Sequence, residues 1–240
     1  MYVKAVIAYD GSHYYGFQKQ TSTSQTIVGV LEKALHDLHI ETTIVGSGRT
    51  DAGVHATGQV IHFEIPPFWS DLKRLKRYLN LKLEHIYIKH ISCVSQAFHA
   101  RFSAKRRVYR YIFKTTEPSI FEKCYISHYD SFDPTLLKEA LRLFEGEHDF
   151  KYFHKTGSVT HTTIRTIYKT TYRQRGAYHY LYFTANGFLR SQIRMMVEGV
   201  MHVAQGKLSK KQLQEQLLTE KKYLTKPAKP EGLYLARILY

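Results

Sequence analysis

The sequence predicts an α+β protein in two halves, residues 1–103 and 104–240. Three observations predict it. Runs with a period of two, as half-buried strands require, recur along the whole chain. Each half also carries a helix with one apolar stripe: Ile27, Val30, Leu31, Ala34, Leu35 and Leu38 in the first, Leu136, Leu137, Ala140, Leu141 and Phe144 in the second. Residues 162–173 and 178–184 form a pair of strand-like runs across Arg175-Gly176, a hairpin signal. Each half therefore reads as strands around a helix, without a visible repeat in the residues themselves.

In chain order, residues 3–9 alternate as a buried strand, and 10–20 are a polar, aromatic loop with two glycines. Thr26 or Ser24 can cap the first helix. His36 and His39 stand three apart on it, but no third ligand follows, so they read as a solvated face rather than a metal site. Residues 42–45 and 59–65 read as strands on either side of a glycine-rich stretch, with Ile61, Phe63 and Ile65 inward and His62 and Glu64 outward. Pro66-Pro67 ends the second of these strands. Ser70 then caps a short basic helix with Leu72, Leu75 and Leu79 inward and Lys73, Arg74, Lys76 and Arg77 outward. Residues 86–94 are a further strand.

On the next strand Arg106, Val108, Arg110 and Ile112 share one face, and Arg107, Tyr109, Tyr111 and Phe113 the other. Tyr111 and Phe113 read as core. Asp133-Pro134 opens a helix as an N-cap with proline in the first turn, and Gly146 stops it. After the hairpin, Asn186-Gly187 turns into a helix with Leu189, Ile193, Met196, Val197 and Val200 inward. Arg190 and Arg194 are i, i+4 neighbours on it. A lysine-rich helix over 209–218 and a loop with Pro227 and Pro230 precede a last strand over 233–240.

The chain has 35 Lys and Arg against 20 Asp and Glu, a formal charge of +15, interleaved with 19 Tyr and 13 Phe. Cations that attract phosphate, beside rings that stack on bases, point to RNA. No apolar run reaches the length of a membrane span, and no basic amphipathic anchor favours a lipid surface. The strand pattern begins at Met1-Tyr2-Val3-Lys4, which leaves no room for a signal peptide. Cys93 and Cys124 lack metal or redox spacing and read as free thiols in a reducing compartment.

The chemically dense stretch is Gly46-Ser47-Gly48-Arg49-Thr50-Asp51-Ala52-Gly53-Val54-His55-Ala56. It sets a carboxylate, a guanidinium and an imidazole among three glycines, in a turn between strands where another molecule can approach the backbone. An Asp in such a turn can equally serve as an Asx-turn that only binds nearby N–H groups. A dinucleotide cradle is excluded, since Asp51 stands at the third glycine position and a strand rather than a helix follows.

Gly48-Arg49-Thr50-Asp51-Ala52-Gly53-Val54-His55-Ala56 resembles the signature loop of the tRNA pseudouridine synthase A family. The resemblance extends over nearly the whole chain, through 10–20, Arg107-Val108-Tyr109-Arg110-Tyr111, Gly146-Glu147-His148-Asp149-Phe150, 188–194 and Glu231-Gly232-Leu233-Tyr234-Leu235. Three places depart from the family's pattern: Val28 stands for a usual Gln, Leu81-Lys82-Leu83-Glu84 for a Leu-Pro and acidic turn, and Ser191 for His or Asn. The resemblance implies the pseudouridine synthase fold, with two similar α/β halves, a central mainly antiparallel sheet and a catalytic cleft between the halves. It implies Asp51 as catalytic nucleophile and Tyr109 as the active-site tyrosine. It further implies a cytoplasmic homodimer acting on uridines 38, 39 and 40 of the tRNA anticodon stem-loop.

Pseudouridine formation detaches uracil N1 from the ribose, turns the ring and rejoins it at C5. It requires neither redox cofactor nor metal. Asp51 would act as nucleophile, Tyr109 would stack on the uracil, Arg194 would pair with Asp51, and Arg49 would bind phosphate or prop the base out of its stack. Two other classes stay open on the residues alone. One is a non-catalytic RNA-binding module using the basic, aromatic-rich surface; the other is a hydrolase pairing Asp51 with His55.

Overall fold

Alternating burial sets the strands, and single-stripe helices cover them. The computed structural model describes residues 1–155, 157 and 160–240. Along the chain run β1 (Tyr2–Tyr9), α1 (Ile27–His36), β2 (Val45–Gly46), β3 (His55–Glu64), α2 (Leu72–Lys82), β4 (Ile86–Cys93) and β5 (Arg106–Lys114). They are followed by β6 (Ser127–His128), α3 (Pro134–Arg142), β7 (Gly146–Asp149), β8 (Ile164–Arg175), β9 (Tyr178–Ala185), α4 (Gln192–Ala204), α5 (Lys210–Leu217) and β10 (Leu233–Leu239). The class is α+β, with mostly antiparallel strand pairing. Contacts divide the chain into two units, Met1–Lys105 with Tyr234–Tyr240, and Arg106–Leu233.

In the first unit the strand order is β4-β1-β3-β10. β1 pairs antiparallel with β3, Val3 opposite Phe63 and Ala5 opposite Ile61, and these four residues are buried. β10 lies parallel to β3, with Tyr234 opposite His55 and Leu235 opposite Ala56. A Cβ at Gly58 would come within 2.3 Å of the Ala236 carbonyl oxygen, so β3 accepts only glycine beside this strand. Thr26 caps α1 through the Gly29 N–H. At β4, Asn80 imitates a further strand: its Oδ1 accepts from Ile88 N at 2.7 Å and its Nδ2 donates to Ile88 O at 3.1 Å. An amide placed this way satisfies backbone groups that would otherwise be offered to another chain.

In the second unit the order is β5-β9-β8-β7, with β6 parallel to the end of β5. Tyr111, Phe113, Leu181 and Phe183 are fully buried on this sheet. Helices α3 and α4 pack on each other and α3 on β8; α4 buries Ile193, Met196, Val197, Val200 and Met201. Asp133 caps α3 through the N–H groups of Thr135 and Leu136. The Glu231-Gly232 motif gains a physical reason here. Ile112 N donates to Gly232 O at 2.8 Å, and a Cβ on Gly232 would lie 2.6 Å from Ile112 O. Tyr111 anchors the same corner, its hydroxyl donating to Ser127 Oγ at 2.7 Å.

Several local expectations need correction. His39 lies beyond α1 with φ 59°, so the two histidines do not share a helix face. Asp71, not Ser70, caps α2, because its carboxylate reaches the N–H groups of Lys73 and Arg74. Residues 42–45 contribute a strand only at Val45, since Ile44 N is taken by the Glu32 carboxylate at 3.0 Å. Arg190 precedes α4, so it is not a helical i, i+4 partner of Arg194. Gly146, with φ 103°, opens β7 rather than stopping α3, whose C-cap is Leu143. His62 is buried rather than outward, because β3 is covered on both faces along most of its length. Its Nδ1 accepts from Ala100 N at 3.1 Å, and burial, then neighbouring His99, hold its imidazole below the usual histidine range. Residues 234–240 group with the first unit, rather than with the C-terminal half in which the sequence places them, because β10 pairs with β3.

Candidate active site

The Gly46–Ala56 stretch is pinned by its backbone, and the pins come from both ends. Ser47 N donates to Val60 O at 2.8 Å, and Gln59 Nε2 donates to Gly48 O at 2.7 Å. Phe17 N donates to Thr50 O at 3.0 Å, and the Thr50 hydroxyl meets the Tyr9 hydroxyl at 2.8 Å in a buried contact. Val54 N donates to Asp51 O at 3.2 Å, closing a turn in which Gly53 takes φ 75°. Asp51 is half-buried, and Thr50 before it is fixed by the bonds from Phe17 and Tyr9. Arg49 is exposed.

The 10–20 loop proves to be the wall against which this turn is built. At Gly11 a Cβ would lie 2.0 Å from Val54 O, and at Gly16, φ 106°, one would lie 3.1 Å from Thr50 O. A third close approach is Gly46, whose Cβ would enter the Phe17 ring at 2.3 Å. His55 opens β3 rather than ending the loop, and it is buried. Its Nδ1 receives the Gly11 N–H at 3.0 Å, with Asp10 Oδ1 3.2 Å from the same nitrogen. One ring nitrogen serves one of these at a time, and the tautomer decides which. Its ring stacks on Tyr234 at 4.7 Å. The Nδ1 of this buried imidazole thus serves the Asp10-Gly11 turn.

Tyr109 lies on β5 in the second unit, on the face shared with Tyr111 and Phe113, and it is buried. Its ring meets Phe188 edge to face, centroids 5.2 Å apart. On the same face Arg107 donates through Nη1 to Asn186 O at 2.7 Å, fixing the turn that leads to α4. Arg194, in the first turn of α4, donates through Nε to Ala228 O at 2.6 Å, and Ala228 N donates to Arg194 O at 3.1 Å. This anchoring fixes the guanidinium plane and ties α4 to the segment before β10. Ser191 stands at the N-cap position of α4 with φ 61°, a left-handed conformation uncommon for residues other than glycine and asparagine. Asp51 and Arg49 belong to the first unit, Tyr109 and Arg194 to the second.

Asp10, Gly11, Gly16, Phe17 and Gln59 were not singled out from the sequence as supports of the Asp51 turn. Only the glycine content of 10–20 hinted at a close backbone approach. Among the described residues, no group of three His, Cys, Asp or Glu side chains could hold a metal ion. No helix among them is long and apolar enough to cross a membrane.

Comparison with known proteins covers both units. The sequence model of the tRNA pseudouridine synthase family matches residues 5–103 and 140–240. A tRNA pseudouridine synthase A of Helicobacter hepaticus is 40% identical over 243 residues, covering 99% of this chain and 98% of that one. The protein of the same name from Campylobacter jejuni is 38% identical over 242 residues, covering 100% of both chains. Another, from Geobacillus kaustophilus, is 37% identical over 244 residues, covering 99% and 94%.

Proposed function

This chain belongs to the tRNA pseudouridine synthase family and is an isomerase that converts uridine to pseudouridine in tRNA, and we propose that Asp51 is its nucleophile and the anticodon stem-loop its target. The uridines modified are 38, 39 and 40. The enzyme acts as a homodimer in the cytoplasm. Tyr109 stacks on the extruded uracil, Arg194 pairs with Asp51, and Arg49 holds phosphate or props the base outward.

One observation supports this reading above the others: the turn that carries Asp51 is held on both sides, by Phe17 and Tyr9 on Thr50 and by Gln59 on Gly48. Pre-positioning on a rigid turn is what a nucleophile needs to meet a ribose or base carbon at attack distance. A base taken from a stacked stem costs a few kcal/mol, which phosphate contacts along a protein of charge +15 offset.

The test is incubation with transcribed tRNA followed by chemical labelling of pseudouridine, read position by position. Label at 38, 39 or 40 supports the reading. Binding without label would point to an RNA-binding module, label elsewhere in tRNA would overturn the anticodon target, and release of free uracil or strand scission would point to hydrolysis.

A further inference from the structure

We propose that the groove between α2 and β4 is a second tRNA-contact surface, which grips the sugar–phosphate backbone away from the Asp51 turn. This inference rests on the tRNA reading above and adds a site to it. The groove, about 480 Å³, is lined by Lys73, Lys76, Arg77, Asn80, Leu81 and Tyr87. Three of those six side chains are cations and none is a carboxylate.

The helix creates this arrangement. With 3.6 residues per turn, Lys73, Lys76, Arg77 and Asn80 fall on one stripe of α2, while Leu75 and Leu79 point into the core. Lys73 and Arg77 therefore stand one turn apart, about 6 Å along the axis. Asn80 is already committed to Ile88 on β4, so it holds the groove's two walls at fixed spacing. Lys76 is held as well, its Nζ donating to Lys89 O at 2.7 Å.

The cations are not occupied by the protein's own carboxylates. On α2, Lys82 pairs with Asp37 at 3.4 Å. Among the described residues, Lys73, Arg74, Lys76 and Arg77 make no such pair. Nearby Asp71 spends its carboxylate on the N–H groups of Lys73 and Arg74 at the helix start. Four like charges within one and a half turns repel one another, so the face stores unfavourable energy that an incoming polyanion relieves.

The groove also carries rings and apolar surface at its mouth. Tyr87 is 56% exposed and Leu81 is 73% exposed. The Lys76 ammonium sits 5.8 Å from the Tyr87 centroid; outside the groove's lining, elsewhere on α2, the Arg74 guanidinium lies 5.5 Å from that of Tyr78. A cation with an exposed ring beside it matches a phosphate with its ribose or an unpaired base beside it. An acidic protein segment would use the charge but has less use for the ring face, which makes RNA the favoured occupant.

Lys73→Glu combined with Arg77→Glu tests the charge, and Tyr87→Ala tests the ring. Both changes sit at exposed positions, and circular dichroism confirms folding. With transcribed tRNA, the double variant should bind at least ~10-fold more weakly. Its slope of log K against log salt should be shallower by roughly 1.4–1.8, the loss of two phosphate contacts. Tyr87→Ala should weaken binding several-fold with the slope unchanged. In both variants the single-turnover rate at saturating tRNA should equal that of the unaltered enzyme. Unchanged affinity and slope would overturn the inference, as would an equal effect from the same charge changes at Lys33 and Lys138. Weaker binding that tracks loss of a dimer in sedimentation would assign the groove to a protein contact instead. An unaltered enzyme that converts tRNA while the variant is indifferent overturns this site alone. An unaltered protein that neither binds nor converts tRNA overturns the tRNA reading, and this site with it.

Discussion

A Cβ on Gly11 would lie 2.0 Å from the carbonyl oxygen of Val54, so the two loops of the candidate site touch backbone to backbone. The oxygen belongs to the chain itself and cannot swing aside as a side chain would. Gly11→Ala should therefore displace the Asp51 turn. We expect a stability loss of about 1–3 kcal/mol or more from overpacking, together with a larger loss of activity than of tRNA affinity. Thermal unfolding and single-turnover assays check it. An alanine variant with unaltered melting and rate would mean that the loops separate without consequence.

Asp51→Asn retains shape and removes the negative charge. Because backbone bonds at Ser47, Thr50 and Val54 and the Thr50 hydroxyl hold the turn, the fold should be unchanged. Turnover should be lost while tRNA affinity stays within a few-fold. A variant that still converts uridine at the original rate would return Asp51 to a structural role.

Tyr109→Phe keeps the ring against Phe188 and deletes the hydroxyl. If the ring serves by stacking, the rate should fall little; if the hydroxyl moves a proton, a loss on the order of 10²-fold follows. Tyr109→Leu should reduce the rate in either case. An unimpaired leucine variant would exclude Tyr109 from the base site.

Glu122 supplies a pH test independent of catalysis. Its carboxylate accepts from Tyr178 Oη at 2.6 Å, from Ser119 and from Lys114, and these bonds, the Tyr178 one first, lower its pKa from 4.5 to about 2. A folded-state pKa below the unfolded one means that the stabilisation is complete above about 4.5 and is lost as pH falls toward about 2. In Tyr178→Phe the carboxylate should titrate nearer 4.5, so its remaining bonds to Ser119 and Lys114 should be lost at less acidic pH. An NMR titration of the Glu122 carboxyl carbon in both proteins measures the difference, and equal midpoints would remove Tyr178 as the chief cause.

The sequence carried the fold where burial is periodic. The β5 alternation of Arg107, Tyr109, Tyr111 and Phe113, the 164–185 hairpin and the Asp133 cap all follow from local rules. It was silent where a side chain is set by a distant segment. His62 alternates like an outward residue, yet β3 is covered on both faces there, and Ala100, 38 positions on, gives its N–H to the buried ring. His55 likewise reads as a loop residue, yet it opens β3, and Gly11, 44 residues earlier, donates to its Nδ1. Of the candidate site, the Asp51 run was legible as contiguous letters. Its supporting wall was not, because Gly11, Gly16 and Phe17 act through backbone proximity, which leaves no spacing to read.

The pairing of β10 with β3 sets an order on synthesis. Residues 234–240 leave the ribosome after the whole of Arg106–Leu233, yet they complete the sheet that begins at Tyr2. Until then the nascent chain holds His55 and Ala56 on a strand without that neighbour, and the ring of Tyr234 is not yet present to cover His55. The second unit has all its strands earlier and can condense first, while the one bearing Asp51 waits. Long-range closure of this kind slows folding. A nascent chain stalled before residue 234 should thus leave its opening hundred residues open to protease while the later segment is already resistant.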